Sequence, residues 1–247
     1  MKYKAIVFDL DGTAIPNKKD GMPSQHLIDL ILKLKGKIFM CAVTGRQLFD
    51  CKHILNSLRL TSPCIIFGGT QIIDPVTTEV LWEKLIPPGT VKKILNVAKP
   101  FKYKIFISNE TLSSLAMEKV VNKPEHIVYI MAANKADSTA LMERLSRISG
   151  IAAYTVPAHE EGFFDIHITH QEGTKKHALG TLLQILNVEK ENVIGFGDAK
   201  NDLPIFEAVG TKVAMGNGSE ELKEVADLIA PSAEEDGVAR VLEKLVA

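Results

Sequence analysis

Tyr3-Lys4-Ala5-Ile6-Val7-Phe8-Asp9-Leu10-Asp11-Gly12-Thr13 decides the reading of this chain. Its first half is a short apolar run ending in Ile6, Val7 and Phe8, the pattern of a strand buried on both faces. The run stops on two aspartates and a glycine, so acidic side chains stand where a strand ends. The same arrangement recurs. Ile38 to Val43 runs into Thr44-Gly45-Arg46, and Cys64 to Phe67 into Gly68-Gly69. Val193 to Phe196 runs into Gly197-Asp198, and Lys212 to Met215 into Gly216-Asn217-Gly218. Amphipathic helical patterns separate these runs. Leu27, Ile31 and Leu34 share one face, with Ser24 as cap and Gly36 as stop signal. Leu48, Cys51, Leu55 and Leu58 form another face, and Leu179, Leu182, Leu183 and Leu186 a third. Asp202 can cap a helix with Pro204 in its first turn, and 219–225 and 236–246 also look helical. Buried strands alternating with helices predict right-handed crossovers and a parallel sheet, the α/β class.

The rhythm changes in the middle. Gln71–Ile73 and Glu79–Trp82 flank an Asp74-Pro75 turn and predict a hairpin. After the break at Pro87-Pro88-Gly89, helices are expected over 90–99 and 137–148. Strands are expected over 103–108, 127–132, 151–156 and 163–169. This is an α+β pattern, with helices on one face of a sheet. At about 150 residues per domain, 247 residues give roughly 1.6 domains. The fraction is explained by a core split into 1–82 and 170–247, with an α+β domain inserted at 83–169.

Composition excludes several classes. With 46% apolar and 24% charged residues the chain is not intrinsically disordered. The 29 basic and 30 acidic residues leave a net charge of −1, with no global attraction to nucleic acid or an anionic membrane. No apolar run approaches the ~18 residues of a transmembrane helix. The opening MKYKAIVF meets Asp9 and Asp11 at once, unlike a signal peptide. Cys41, Cys51 and Cys64 lack metal-type spacing and read as reduced, packed thiols. The expectation is a cytoplasmic protein, a monomer or small homo-oligomer, since no long exposed heptad points to a partner.

In a parallel sheet the strands' carboxyl ends share one edge, where ligands bind. Asp9, Asp11, Thr44, Asp198, Asn201 and Asp202 therefore gather there, and Lys175 adds a cation at a helix start. Clustered carboxylates repel unless a cation neutralises them. With no histidine or cysteine nearby, a hard divalent ion is expected, above all magnesium. Thr44 and Lys175 would complete a cradle for a phosphoryl dianion. One carboxylate can attack phosphorus, and the second can protonate the leaving oxygen and later deprotonate water.

DLDGT at Asp9–Thr13, VTGR at Val43–Arg46, Lys175 and GDAKND at Gly197–Asp202, in this order, resemble the haloacid dehalogenase superfamily. The position of the insert resembles the Cof-like phosphatase branch, whose cap lies between the second and third motifs. AMGN at Ala214–Asn217 and EDGVA at Glu235–Ala239 match it further. The resemblance implies a Rossmann-like core with an α+β cap that closes over the substrate. It implies Asp9 as nucleophile and Asp11 as general acid/base. Thr44, Gly45, Arg46, Lys175 and Asn201 would serve the phosphoryl group and substrate. Magnesium would be held by Asp9, the Asp11 carbonyl and Asp198, with Asp202 completing the site by orienting Lys175 or a metal-bound water. The substrate would be a small phosphorylated metabolite, sugar phosphates favoured. Many relatives carry Asn-Gly-Ala where this chain has Gly68-Gly69-Thr70, which puts substrate contacts from that loop in question.

Plainer readings apply elsewhere. His159, His167 and His170 read as packed or exposed rather than catalytic, and Phe163 and Phe164 as core. Trp82 reads as packing at the hairpin. Lys92, Lys93, Lys99, Lys102, Lys104 and Lys176 read as solvated charge. A phosphosugar mutase is an alternative, but such enzymes carry a helical cap between the first two motifs, where this chain has about 30 residues, mostly a helix and a strand. A phospho-aspartate signalling module is another, but Asp11 beside the nucleophile would shorten the life of its phosphate.

Overall fold

The computed structural model describes residues 2–18, 20–109, 112–115, 122–158 and 160–246. His159 lies outside them. The chain forms two units, Met1–Trp82 with Lys175–Ala247, and Glu83–Thr174.

In the first unit, strand β1 (Ala5–Phe8) is buried along its whole length, as its unbroken apolar run requires. Helix α1 (Gln25–Leu34) follows, buried at Leu27, Leu30, Ile31 and Leu34, with Ser24 accepting the Leu27 amide at its N-terminus. Strand β2 (Phe39–Ala42), helix α2 (Leu48–Ser57) and strand β3 (Cys64–Ile66) continue the alternation. Then come β4 (Gln71–Ile73) and β5 (Val80–Glu83). The Asp74 carboxylate accepts the Val76 and Thr77 amides and so closes the turn between them. Beyond the hairpin expected there, β4 also pairs antiparallel with β3, making a three-stranded sheet.

The second unit holds α3 (Pro88–Ala98), β6 (Ile105–Asn109), β7 (Leu112–Leu115), β8 (Ile127–Asn134), α4 (Lys135–Leu145), β9 (Ile151–Pro157) and β10 (Phe163–His170). Its strands form one sheet in the order β7-β6-β8-β10-β9, antiparallel at each described pairing. Ile105, Ile107, Val128, Ile130, Ile166 and Ile168 alternate along three strands and pack with Val91, Ile94, Leu141 and Leu145 of the helices. Both helices therefore cover one sheet face, each fully buried aliphatic side chain contributing about 1.5–3 kcal/mol. On the other face His167 sits edge-on to Tyr129, ring centres 4.8 Å apart. Burial pushes the His167 imidazole down to about 4. Lys92, Lys93, Lys99, Lys102 and Lys104 are exposed.

The first unit resumes with α5 (Lys175–Leu186), β11 (Val193–Gly197), α6 (Leu203–Glu207), β12 (Thr211–Ala214), α7 (Glu220–Glu224), β13 (Leu228–Ile229) and α8 (Gly237–Val246). The main sheet is parallel throughout, in the order β13-β12-β11-β1-β2. Its strand order reverses at β1, a topological switch point. Ala5, Val7, Cys41 and Val43 face Ala178, Leu179 and Leu182 of α5 and Ile205 and Phe206 of α6. Trp82 packs against the same cluster. Cys41, Cys51 and Cys64 are buried and free, and burial pushes the thiols of Cys51 and Cys64 up to about 12. Among the described residues no helix is long and apolar enough to cross a membrane.

Candidate active site

Sheet register assembles the site. Phe8 lies beside both Phe196 and Ala42, so β1, β2 and β11 end at one edge. The next residues out of each strand bring Asp9, Thr44 and Asp198 to that edge. Lys175 opens α5, and its buried ammonium donates to Asp9 Oδ1 at 2.6 Å and Asp202 Oδ1 at 2.7 Å. Burial works against the ammonium, but Asp202 and Asp9 outweigh it and raise its pKa. Lys175 is thus a fixed positive charge. The Asp9 carboxyl moves up, first through burial and then through Asp202 and Asp198, against the pull of Lys175.

The Asp202 carboxylate does not cap α6 as its sequence position suggests. It turns back, with Oδ2 accepting the amides of Asp198 at 3.1 Å and Ala199 at 3.2 Å. Three donors on one buried carboxylate hold it in a single orientation and lock Lys175 in place. Asp198 Oδ1 accepts from Thr13 Oγ1 at 3.0 Å. Burial first, then Asp202, pushes the Asp198 carboxyl up to about 6.

Asp9, Asp198 and Asp202 each offer an oxygen within 4.8 Å of the others. Three carboxylates against the single Lys175 ammonium leave two negative charges in excess, which suits a divalent cation. Oδ2 of Asp9 and Oδ2 of Asp198 accept no hydrogen bond among the described residues. Hard oxygens of this kind fit an oxygen-seeking ion.

Gly12 makes the approach possible. Its φ is +77°, and a Cβ there would lie 2.3 Å from Asp198 Oδ2. Gly12→Ala is expected to displace Asp198 and lower kcat/KM by about 10- to 100-fold, the scale of disturbed support for a metal site. Phosphate-release kinetics across a titration of divalent cation check this, and unchanged kinetics contradict it.

The loop after β2 is held from several sides. The Thr44 amide donates to Ile65, and Thr44 Oγ1 accepts the Arg46 amide at 3.1 Å. Thr44 is buried and Gly45 exposed. Phe67 and Gly68 donate their amides to the Arg46 and Thr44 carbonyls at 2.9 and 3.1 Å. These contacts need a run of left-handed backbone, with φ of 51° at Phe67, 68° at Gly68 and 109° at Gly69. The glycines after β3 thus buttress the Thr44 loop. Arg46 reaches Asp11, Nε donating to Oδ2 at 2.8 Å and Nη2 to Oδ1 at 2.5 Å. Asn201 lies half-buried in the same turn as Asp202. Its side chain makes none of these hydrogen bonds.

Two participants lay within quoted motifs without a role. Thr13 supports Asp198. Asn217 Nδ2 donates to the Gly12 carbonyl at 2.8 Å, while its Oδ1 accepts the Ala233 amide at 2.9 Å. The AMGN segment was the available signal. His170 Nδ1 accepts the Glu172 amide within the second unit.

Comparison with known proteins agrees with this geometry. The sequence profile of the haloacid dehalogenase-like hydrolases matches residues 6–123 and 113–242. YitU of Bacillus subtilis (strain 168), a 5-amino-6-(5-phospho-D-ribitylamino)uracil phosphatase, is 26% identical, over 97% of this chain and 96% of its own. A haloacid dehalogenase-like hydrolase from Bacteroides thetaiotaomicron has a TM-score of 0.79 at 25% identity, covering 98% of this chain and 99% of that one. The subclass IIB sugar phosphatase BT4131 shares the fold, with a TM-score of 0.81 at 20% identity over 98% of each chain. By the profile match, and with the motif residues gathered at one sheet edge, the chain belongs to the haloacid dehalogenase-like hydrolase family.

Proposed function

We propose that the chain is a magnesium-dependent phosphatase that hydrolyses small phosphomonoesters, sugar phosphates above all, through an aspartyl phosphate on Asp9. The observation that carries this reading is the buried Lys175 ammonium shared by Asp9 and Asp202, with Asp198 alongside. A lysine so placed holds a nucleophilic carboxylate in position and presents positive charge to an incoming phosphate. The name of YitU supports a metabolite whose phosphate is carried on a sugar-alcohol chain.

In this reading Asp9 attacks phosphorus as the bond to the leaving oxygen breaks, and Asp11 gives that oxygen its proton. Asp11 then takes a proton from the water that attacks the aspartyl phosphate. Inorganic phosphate leaves and Asp9 is restored. Thr44, Lys175 and Asn201 bind the transferring group. The Asp9 and Asp198 carboxylates would hold magnesium, with the Asp11 carbonyl and Asp202 beside them. When bound, the ion neutralises charge on the phosphoryl oxygens. Cytoplasmic residence fits three buried thiols, none in a disulfide. A monomer or small homo-oligomer is the assembly we propose. A panel of phosphorylated metabolites, assayed for free phosphate with and without magnesium, tests the reading. Release from sugar phosphates only with magnesium supports it, and no release from any member defeats it.

Cation and proton compete at Asp198. Its folded pKa of about 6 exceeds the ordinary value of 3.8. The metal-free fold therefore binds the extra proton between those values, and its stability falls as pH rises through that window. A cation that needs the ionised carboxylate relieves the penalty. Magnesium is expected to raise the melting temperature by more at pH 7 than at pH 5. An equal rise at both contradicts the assignment of Asp198.

A further inference from the structure

Arg46 is fixed at every polar point. Its amide donates to Thr44 Oγ1, its carbonyl accepts the Phe67 amide, and Nη1 donates to the Asp50 carbonyl at 3.3 Å. One N–H on Nε and one on Nη2 meet the two oxygens of Asp11 as a planar fork at 2.8 and 2.5 Å. An arginine that bound the transferring phosphoryl group through its fork would need those donors free. Here they are committed to a carboxylate. The pair is half-buried, with side-chain exposures of 25% and 32%, so the Asp11 side keeps access to solvent.

We propose that Arg46 is a positioning residue, holding the Asp11 carboxyl plane so that a proton can pass between it and the leaving oxygen. The proposal rests on the phosphatase reading above. The backbone of the Asp9–Gly12 turn is held by its own hydrogen bonds, but an aspartate side chain without a partner can rotate about both of its torsions. The bidentate fork removes that freedom, and the loop after β2 anchors the fork. Proton transfer needs donor and acceptor within about 2.6–3.2 Å, so a carboxyl held in place acts more often than a mobile one.

Such a role depends on the leaving group. An oxygen that departs readily as an anion needs no proton, whereas a basic one does. The test measures kcat/KM for substituted phenyl phosphates, from p-nitrophenyl to phenyl phosphate, with wild-type protein, Arg46→Gln and Arg46→Lys. This constant covers steps through transfer to Asp9 and so isolates departure of the leaving group. The expected loss in Arg46→Gln is within about 3-fold for p-nitrophenyl phosphate and grows to about 30-fold for phenyl phosphate. Arg46→Lys keeps the charge but not the fork, and is expected to show the same graded loss. An equal loss across the series would assign Arg46 to the phosphoryl group and overturn the proposal. So would no loss, or full activity in Arg46→Lys. Wild-type protein inactive on this series and on the metabolite panel would instead defeat the phosphatase reading itself.

Discussion

Asp9→Asn is expected to abolish turnover, by about 10⁴-fold or more in kcat, while the fold survives. An amide is a poor nucleophile toward phosphorus, and Asp202, the other carboxylate beside Lys175, is tied up by Lys175 and the Asp198 and Ala199 amides. The structural cost is small. Asn has the shape of Asp, Lys175 keeps its bond to Asp202, and one buried charge disappears from a site with an excess of negative charge. The melting temperature should stay within a few degrees of wild type. Free-phosphate assays and thermal unfolding on one preparation check both halves. Undiminished activity in this variant would sink the assignment of Asp9.

Lys175→Met carries the second large effect, and here the fold pays as well. The substitution leaves Asp9 and Asp202 buried without their shared cation. Breaking a buried ion pair in this way costs about 3–5 kcal/mol. For a chain of this size that corresponds to a fall of about 10 °C in melting temperature. The sign with pH follows from the same picture. Burial already holds the Asp9 carboxyl up, and without the opposing pull of the ammonium it rises further, so the penalty is present near neutral pH and fades as Asp9 takes up a proton. The gap to wild type should narrow from pH 7 to pH 5. Activity should be lost at both. Adding Asp202→Asn should recover part of the stability and none of the activity, because it removes a stranded charge but restores no contact to Asp9. A cost below about 0.5 kcal/mol, as for a solvated surface lysine, would contradict the buried geometry.

The parts legible in the sequence were those set by burial and by chain direction. Ile6-Val7-Phe8 and Val193–Phe196 are too apolar to be anything but central strands, and parallel pairing then forces Asp9 and Asp198 to one edge. Ser24 caps its helix as its position suggests, its hydroxyl accepting the Leu27 amide three residues on, a contact local in sequence. Asp202 looked equally like a cap, yet its carboxylate turns back to two amides of its own segment and to Lys175, the last a long-range contact with no local signature. The destination of Arg46 was hidden for the same reason, since its partner lies 35 residues away. Gly68 and Gly69 stood out only as a departure from relatives. Their use is backbone support for the Thr44 loop, which residue identity alone does not announce. Strands β7 and β13 escaped notice because short edge strands carry too few residues to show a period.

The central claim is that Asp9 carries the phosphoryl group, and trapping tests it most directly. Acyl phosphates are reduced by borohydride to alcohols, which converts a phosphorylated aspartate to homoserine. Wild-type protein turning over a substrate with magnesium, quenched into borohydride and digested, should yield homoserine at position 9 and nowhere else. The signal should vanish without substrate. Steady turnover with Asp9 intact, or reduction at Asp11, Asp198 or Asp202 instead, would contradict the account.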